Sequence, residues 1–302
     1  MDQKELQIKI RSTLREKNAV LLAHYYQRGE VQEIADILGD SLTLSMGAAQ
    51  TNADIIVFAG VHFMAESASI ICPDKTVLLP RLDVGCPLAD MITAEQLIQA
   101  RKDHPGVPIV TYINSTAETK AHSDICCTSS NALKVVESLE EETVIMAPDG
   151  NLARYVAGFT KKKIIPWNGY CPVHNFLMVK EVEEVKKQYP RAPFIAHPEC
   201  TSEVLAMADF VGSTGAMLRF VGQSEAREII VGTEMGILYQ LKKQNPKKTF
   251  IPASKKLICR NMKRITLNNI LSAISGMKHV VSVSEEIKIP AKRCLDRMLA
   301  IP

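Results

Sequence analysis

The feature that most constrains this chain is a stretch it contains three times. Phe194 to Gly215 runs from a short apolar segment through the polar cluster His197-Pro198-Glu199 and a helical segment to Gly212-Ser213-Thr214-Gly215. Ile109 to Ser129 and Leu21 to Ser41 echo it. With His24, Tyr112 and His197 taken as equivalent, the copies lie 88 and 85 residues apart. Asp36, Asp124 and Asp209 keep the same steps, and so do the hydroxyl residues Ser41, Ser129 and Thr214. A chain written as three copies of one unit is read as a repeat before anything else.

The cysteines fall into the same frame. Cys86, Cys171 and Cys259 are separated by 85 and 88 residues, one per copy. If the copies pack around a pseudo-threefold axis, three thiolates converge near it and leave one corner of a metal centre open. Cys72, Cys126, Cys127, Cys200 and Cys294 have no counterpart in all three copies, and are read as small buried hydrophobes. Cys72-Pro73 shares its dipeptide with Cys86-Pro87 and Cys171-Pro172 but lies off the frame.

Within each copy, continuous apolar strands such as Ala19 to Ala23 and Ile55 to Ala59 alternate with helical segments, the pattern of parallel strands covered on both faces. The predicted fold is therefore α/β: three repeated three-layer α/β/α domains with parallel sheets around a pseudo-threefold axis. They comprise residues 1–105 with an N-terminal helix, 106–190, and 191–302 with a C-terminal helix. Helices are expected over residues 4–17, with Leu6, Ile10 and Leu14 on one side, and over Val31 to Leu38. A last helix beyond Lys288 is expected to pack on the first unit. Ser41, Ser129 and Thr214 are expected to cap the helices that follow them.

Composition excludes several functions. A net charge of +3 gives no basic patch for nucleic acid, and the short lysine runs read as solvated faces. No apolar stretch approaches the ~20 residues that span a membrane. The N-terminus is a charged amphipathic segment unlike a signal peptide, so eight cysteines point to a reducing cytoplasm and to metal or catalytic roles.

In open parallel sheets, ligands collect at the carboxyl ends of strands, where His24 and Tyr26, Tyr112 and Asn114, and His197 and Glu199 are expected. Three hydroxyls at helix N-termini facing one axis would suit a small, multiply anionic substrate. Three thiolates without a fourth ligand suit an iron–sulfur centre better than structural zinc, which is closed by four ligands. An exposed iron would act as a Lewis acid in dehydration or condensation. Glu199 is the leading acid/base candidate, flanked by His197, with Tyr26 and His24 as further proton carriers.

At these residues the chain resembles the quinolinate synthase family. The resemblance covers nearly the full length and rests on His24-Tyr25-Tyr26-Gln27, Gly39-Asp40-Ser41, Cys86-Pro87, Tyr112-Ile113-Asn114-Ser115-Thr116, Cys127-Thr128-Ser129, Asn168-Gly169-Tyr170-Cys171-Pro172-Val173-His174, His197-Pro198-Glu199-Cys200, Gly212-Ser213-Thr214-Gly215, Gly232-Thr233-Glu234, and Cys259 with Asn261-Met262-Lys263. It implies a [4Fe–4S] cluster on Cys86, Cys171 and Cys259. It implies substrate contacts from His24, Ser41, the Tyr112-Ile113-Asn114 segment, Ser129, His197-Pro198-Glu199 and Thr214. The activity it implies is condensation of iminosuccinate, supplied by an aspartate-oxidising enzyme, with dihydroxyacetone phosphate to quinolinate, phosphate and water. Arg260 stands after the third cysteine where the other two are followed by proline.

Two other classes compete. A zinc hydrolase would use the cysteines with His174 or His197, and metal analysis showing zinc without acid-labile sulfide would favour it. A non-enzymatic phosphometabolite-binding or iron-sensing module would show an intact cluster but no turnover.

Overall fold

A computed structural model describes residues 2–301. Among the described residues, twelve strands form three separate four-stranded sheets. The first holds β1 (Ala19–His24), β2 (Ile37–Gly39), β3 (Ile55–Ala59) and β4 (Thr76–Leu78). The second holds β5 (Ile109–Tyr112), β6 (Ile125–Cys127), β7 (Thr143–Ala147) and β8 (Lys163–Pro166), and the third β9 (Phe194–Ala196), β10 (Phe210–Val211), β11 (Glu228–Gly232) and β12 (Thr249–Pro252). The orders β2-β1-β3-β4, β6-β5-β7-β8 and β10-β9-β11-β12 are the same topology three times, and every strand pair is parallel. The central strands are mostly apolar and buried, with β-branched residues prevailing in β3, β5, β7 and β11, because helices cover both faces.

The repeated aspartates are structural. The Asp36 carboxylate accepts the Leu21 N–H at 2.9 Å, Asp124 the Ile109 N–H at 2.7 Å, and Asp209 the Phe194 N–H at 2.7 Å. Each aspartate N–H is returned to the carbonyl of the same residue. One side chain thereby fixes the register at the start of each sheet's first pair. A cation beside each carboxylate, Arg11, Arg101 and Lys186, completes the pattern.

Two local expectations are corrected. Val31 to Leu38 is not one helix: a single turn, Gly29–Gln32, gives way to β2 at Ile37. The equivalent strands β6 and β10 are also only three and two residues long. The terminal helix, Glu285–Leu299, packs on both the first and second units. It lies against helices His62–Ile71 and Ala117–Ala121 and strand β6, with Arg297 donating to the Asp124 carbonyl. Helix Leu267–Gly276 packs on the N-terminal helix Gln3–Glu16, which buries Leu6, Ile10 and Leu14 beneath it. The segment around Val280 adds antiparallel bonds to the β4 edge. Helix Leu267–Gly276 and the Val280 segment thus cover the first unit, and the terminal helix straps it to the second.

Candidate active site

In each sheet the chain leaves the two central strands in opposite directions, opening a crevice at their carboxyl ends. β1, β5 and β9 deliver His24 and Tyr26, Tyr112 and Asn114, and His197 and Glu199 to the three crevices. Their partners β3, β7 and β11 deliver Val61, Asp149 and Glu234. The crevices open into one cavity of about 670 Å³, lined by His24, Tyr26, Ser41, Tyr112, Asn114, Ser129, His197, Glu199 and Thr214 together with Cys86, Cys171 and Cys259. Ile113 and Pro198 are buried but do not line it; Ile113 faces the core. Asn114 Oδ1 is buried without a hydrogen-bond partner, an acceptor left over for a ligand.

The framed hydroxyls are not the caps. Asp40 caps helix Ser41–Gln50 by accepting the Thr43 N–H, and Ser213 caps Thr214–Gln223 by accepting the Ala216 N–H. The helix after Ser129 begins only at Ala132, with Asn131 before it. A cap needs extended backbone and reach to the third residue onward; Asp40 and Ser213 have both, one position earlier than predicted. Ser41 and Thr214 open their helices with hydroxyls released from capping. Behind them, Ser130 donates to Asp40 and shares a 2.8 Å contact with Ser213, joining the three repeats at their axis.

The thiols share one backbone setting. Cys171 and Cys259 stand at the heads of the one-turn helices Pro172–Asn175 and Arg260–Lys263. The carbonyls of Cys86, Cys171 and Cys259 each accept the N–H four residues on. Backbone N–H groups two or three residues on point at each sulfur: Leu88 and Ala89, His174, and Asn261 and Met262. Gly169 permits the second loop's approach, since a side chain there would meet the Pro148 carbonyl at 2.4 Å. Burial pushes the Cys86 thiol up to about 12, with the charges of Cys259 and Glu199 acting in the same direction, and raises Cys171 and Cys259 as well. Such thiols ionise only against a cation, and metal binding supplies one. Three soft sulfur donors opening on a cavity fit an iron–sulfur centre with one exposed corner.

A single-ion site is also present. Among the described residues, Cys171, His174 and Glu199 have ligand atoms within 4.8 Å of one another, and Cys86 and Cys259 fall outside this group. Hydrogen bonding already occupies it: His174 Nδ1 is 2.7 Å from Glu199 Oε2 and 3.2 Å from Cys171 Sγ.

That contact begins a relay. A nitrogen facing a carboxylate carries the proton, so His174 Nε2 accepts from Thr233 Oγ1 at 2.8 Å. Thr233 Oγ1 in turn accepts from the Tyr26 hydroxyl at 2.6 Å. Burial alone would raise Glu199, but the His197 and His174 imidazoles, with hydrogen bonds from His174 and Tyr112, hold it down at about 2. Burial and the Glu199 charge raise Tyr26 and Tyr112 well above the ordinary phenol range. Burial lowers His24 to about 4 and His197 to about 3. At neutral pH the site therefore holds an ionised carboxylate and two protonated phenols.

Sequence reasoning leaves Asp149, Thr233, Glu234 and Lys263 without roles. Asp149 and Glu234 lie 85 residues apart, in frame, but Val61 at the matching first-copy position hides the pattern.

The fold and cavity define a class: a repeat-built parallel α/β protein with one thiol-lined central site shared by three units. Residues 8–300 match the family model NadA, quinolinate synthetase A protein. The chain is 58% identical over 302 residues to quinolinate synthase of Geobacter sp. (strain M21), covering 100% of this chain and 99% of that one. It is 59% identical over 302 residues to that of Geotalea uraniireducens, with the same coverage. Quinolinate synthase 1 of Methanosarcina acetivorans is 50% identical over 301 residues, covering 100% of this chain and 99% of that one. The chain belongs to the quinolinate synthase family.

Proposed function

We propose that this protein is a cytoplasmic transferase of NAD biosynthesis that condenses iminosuccinate with dihydroxyacetone phosphate, releasing quinolinate, phosphate and water. The observation that carries this reading is the convergence of three repeat-related thiols, three hydroxyls and Glu199 on one cavity. Both substrates are small dianions. Ser41, Ser129 and Thr214, beside helix starts, would bind phosphate and carboxylate oxygens, and Asn114 Oδ1 would take a donor. An aspartate-oxidising enzyme would supply the imine.

Cys86, Cys171 and Cys259 would hold a [4Fe–4S] cluster, which when bound supplies a Lewis-acid iron for substrate oxygens. The protein's own groups move the protons. Glu199 fixes the His174 tautomer, so that Nε2 can take the Thr233 proton as Thr233 takes that of the Tyr26 hydroxyl, which lines the cavity and would act on the substrate. Tyr26, kept protonated by burial, returns a proton to a leaving oxygen. Exclusion of bulk water by the buried walls strengthens each contact.

The test is quinolinate formation by anaerobically prepared protein from both substrates, alongside iron and sulfide analysis. Glu199→Gln is expected to keep iron and lose at least ~10²-fold in turnover; near-normal turnover would remove Glu199 from the mechanism. A second reading, a zinc hydrolase on Cys171, His174 and Glu199, draws on their 4.8 Å grouping. It leaves Cys86 and Cys259 unused, and zinc without sulfide would establish it.

A further inference from the structure

The three thiol loops are alike in backbone but differ in how they are anchored. The Cys171 N–H donates to Asp149 Oδ2 at 3.2 Å, and Asp149 Oδ1 caps helix Gly150–Ala157 through the Leu152 N–H. The Cys259 N–H donates to Glu234 Oε1 at 3.0 Å, while the Gly236 N–H holds Oε2 at 2.6 Å. Asp149 and Glu234 occupy the same repeat position, are 2% and 0% exposed, and are themselves held by neighbouring backbone. The first repeat has Val61 there, which offers the Cys86 loop no acceptor.

That loop is held from elsewhere. Asn261 Nδ2, two residues past the third cysteine, donates to the Gly85 carbonyl at 2.8 Å. On the far side the Val84 carbonyl accepts the His62 N–H at 2.8 Å. At the surface Arg264 pairs with Asp83. The same short helix, Arg260–Lys263, sends the Lys263 ammonium to Glu234 Oε1 at 2.9 Å and to the Tyr26 carbonyl. Residues 260–264 therefore tie together the first thiol loop, the third carboxylate and the strand end that carries Tyr26.

We propose that helix Arg260–Lys263 is the keystone of the thiol site, with Asn261 the positioning residue for Cys86, and that Cys86 is the first thiol released when the site loses metal. This rests on the reading that the three thiols hold an iron centre. Groups that orient ligands without touching the metal typically change affinity 10–100-fold when removed. Loops anchored to buried carboxylates resist opening, whereas next to its cysteine, at Gly85, the first loop is held by one neutral amide donor from another unit.

The test uses the holoprotein, prepared without oxygen. Iron is withdrawn stepwise by a chelator, exposed thiols are alkylated with iodoacetamide, and modified peptides are identified by mass spectrometry. Cys86 is expected to be alkylated before Cys171 and Cys259. Asn261→Ala is expected to speed iron loss at least about tenfold and to widen Cys86's lead, with an unchanged circular dichroism spectrum. Asn261→Gln, which keeps the donor, should recover part of the slower rate. Alkylation of Cys171 or Cys259 first, or an Asn261→Ala rate equal to the unaltered protein's, overturns the proposal while leaving the iron reading intact. Protein that binds no iron removes both.

Discussion

His24 shows how a single residue couples chemistry to stability. Its Nδ1 accepts the Tyr26 N–H at 3.1 Å, and burial holds the imidazole neutral down to about pH 4. Unfolded, the same group takes a proton near 6.5. Between those values the unfolded chain binds more protons than the native one, so stability falls as pH drops from 6.5 toward 4. This group contributes up to about 1.4 kcal/mol per pH unit to that fall. His24→Asn is expected to lose less stability than the unaltered protein between pH 7 and pH 4.5 in urea titrations. An equal loss in both would mean that His24 does not titrate in this way. Glu199 has the opposite consequence: held at about 2, it favours the native state above 4.5 and loses that contribution only as pH falls toward 2. The residues that line the cavity were legible where the repeat marks them. The His174–Thr233 link was not, because only the folded chain brings residues 59 positions apart to 2.8 Å.

At the scale of elements, the long strands and helices follow from apolar runs and their punctuation, and the sequence pattern finds them. Strands β2, β6 and β10 escape it because two or three residues carry no period, and the single turns before them merge with them into an apparent helix. They are set instead by the aspartate that clamps each sheet's first pair, whose spacing was visible although its purpose was not. The caps were displaced by one residue because adjacent side chains compete. Asp40 and Ser213 are extended and close on their helices, freeing Ser41 and Thr214. Ser213→Ala is therefore expected to cost about 1 kcal/mol of stability. Thr214→Ala should mainly raise the KM for one anionic substrate. Thermal melting and steady-state kinetics on both variants check this; the reverse pattern would return Thr214 to a capping role.

The whole molecule is three sheets of one topology brought to a common cavity, with the C-terminal chain strapping the first two units. Among the described residues no helix is long and apolar enough to cross a membrane. The threefold plan was legible because repetition carries spacing that chance does not. The strap was not, since helix Glu285–Leu299 has no counterpart at the matching positions of the other copies and its partners are chosen by packing alone. Convergence makes the site: each unit supplies one thiol and one hydroxyl, and no unit holds the set. The central claim is that Cys86, Cys171 and Cys259 jointly hold one iron–sulfur centre. The direct measurement is iron and sulfide content with turnover, without oxygen, for Cys86→Ser, Cys171→Ser, Cys259→Ser and Cys72→Ser. Hydroxyls cannot replace soft thiolate donors, so each of the first three should lose both cluster and activity. Cys72, whose thiol is buried and donates only to the Ala48 carbonyl, should keep both when replaced. Full iron and turnover in any one of the three framed variants would contradict the account.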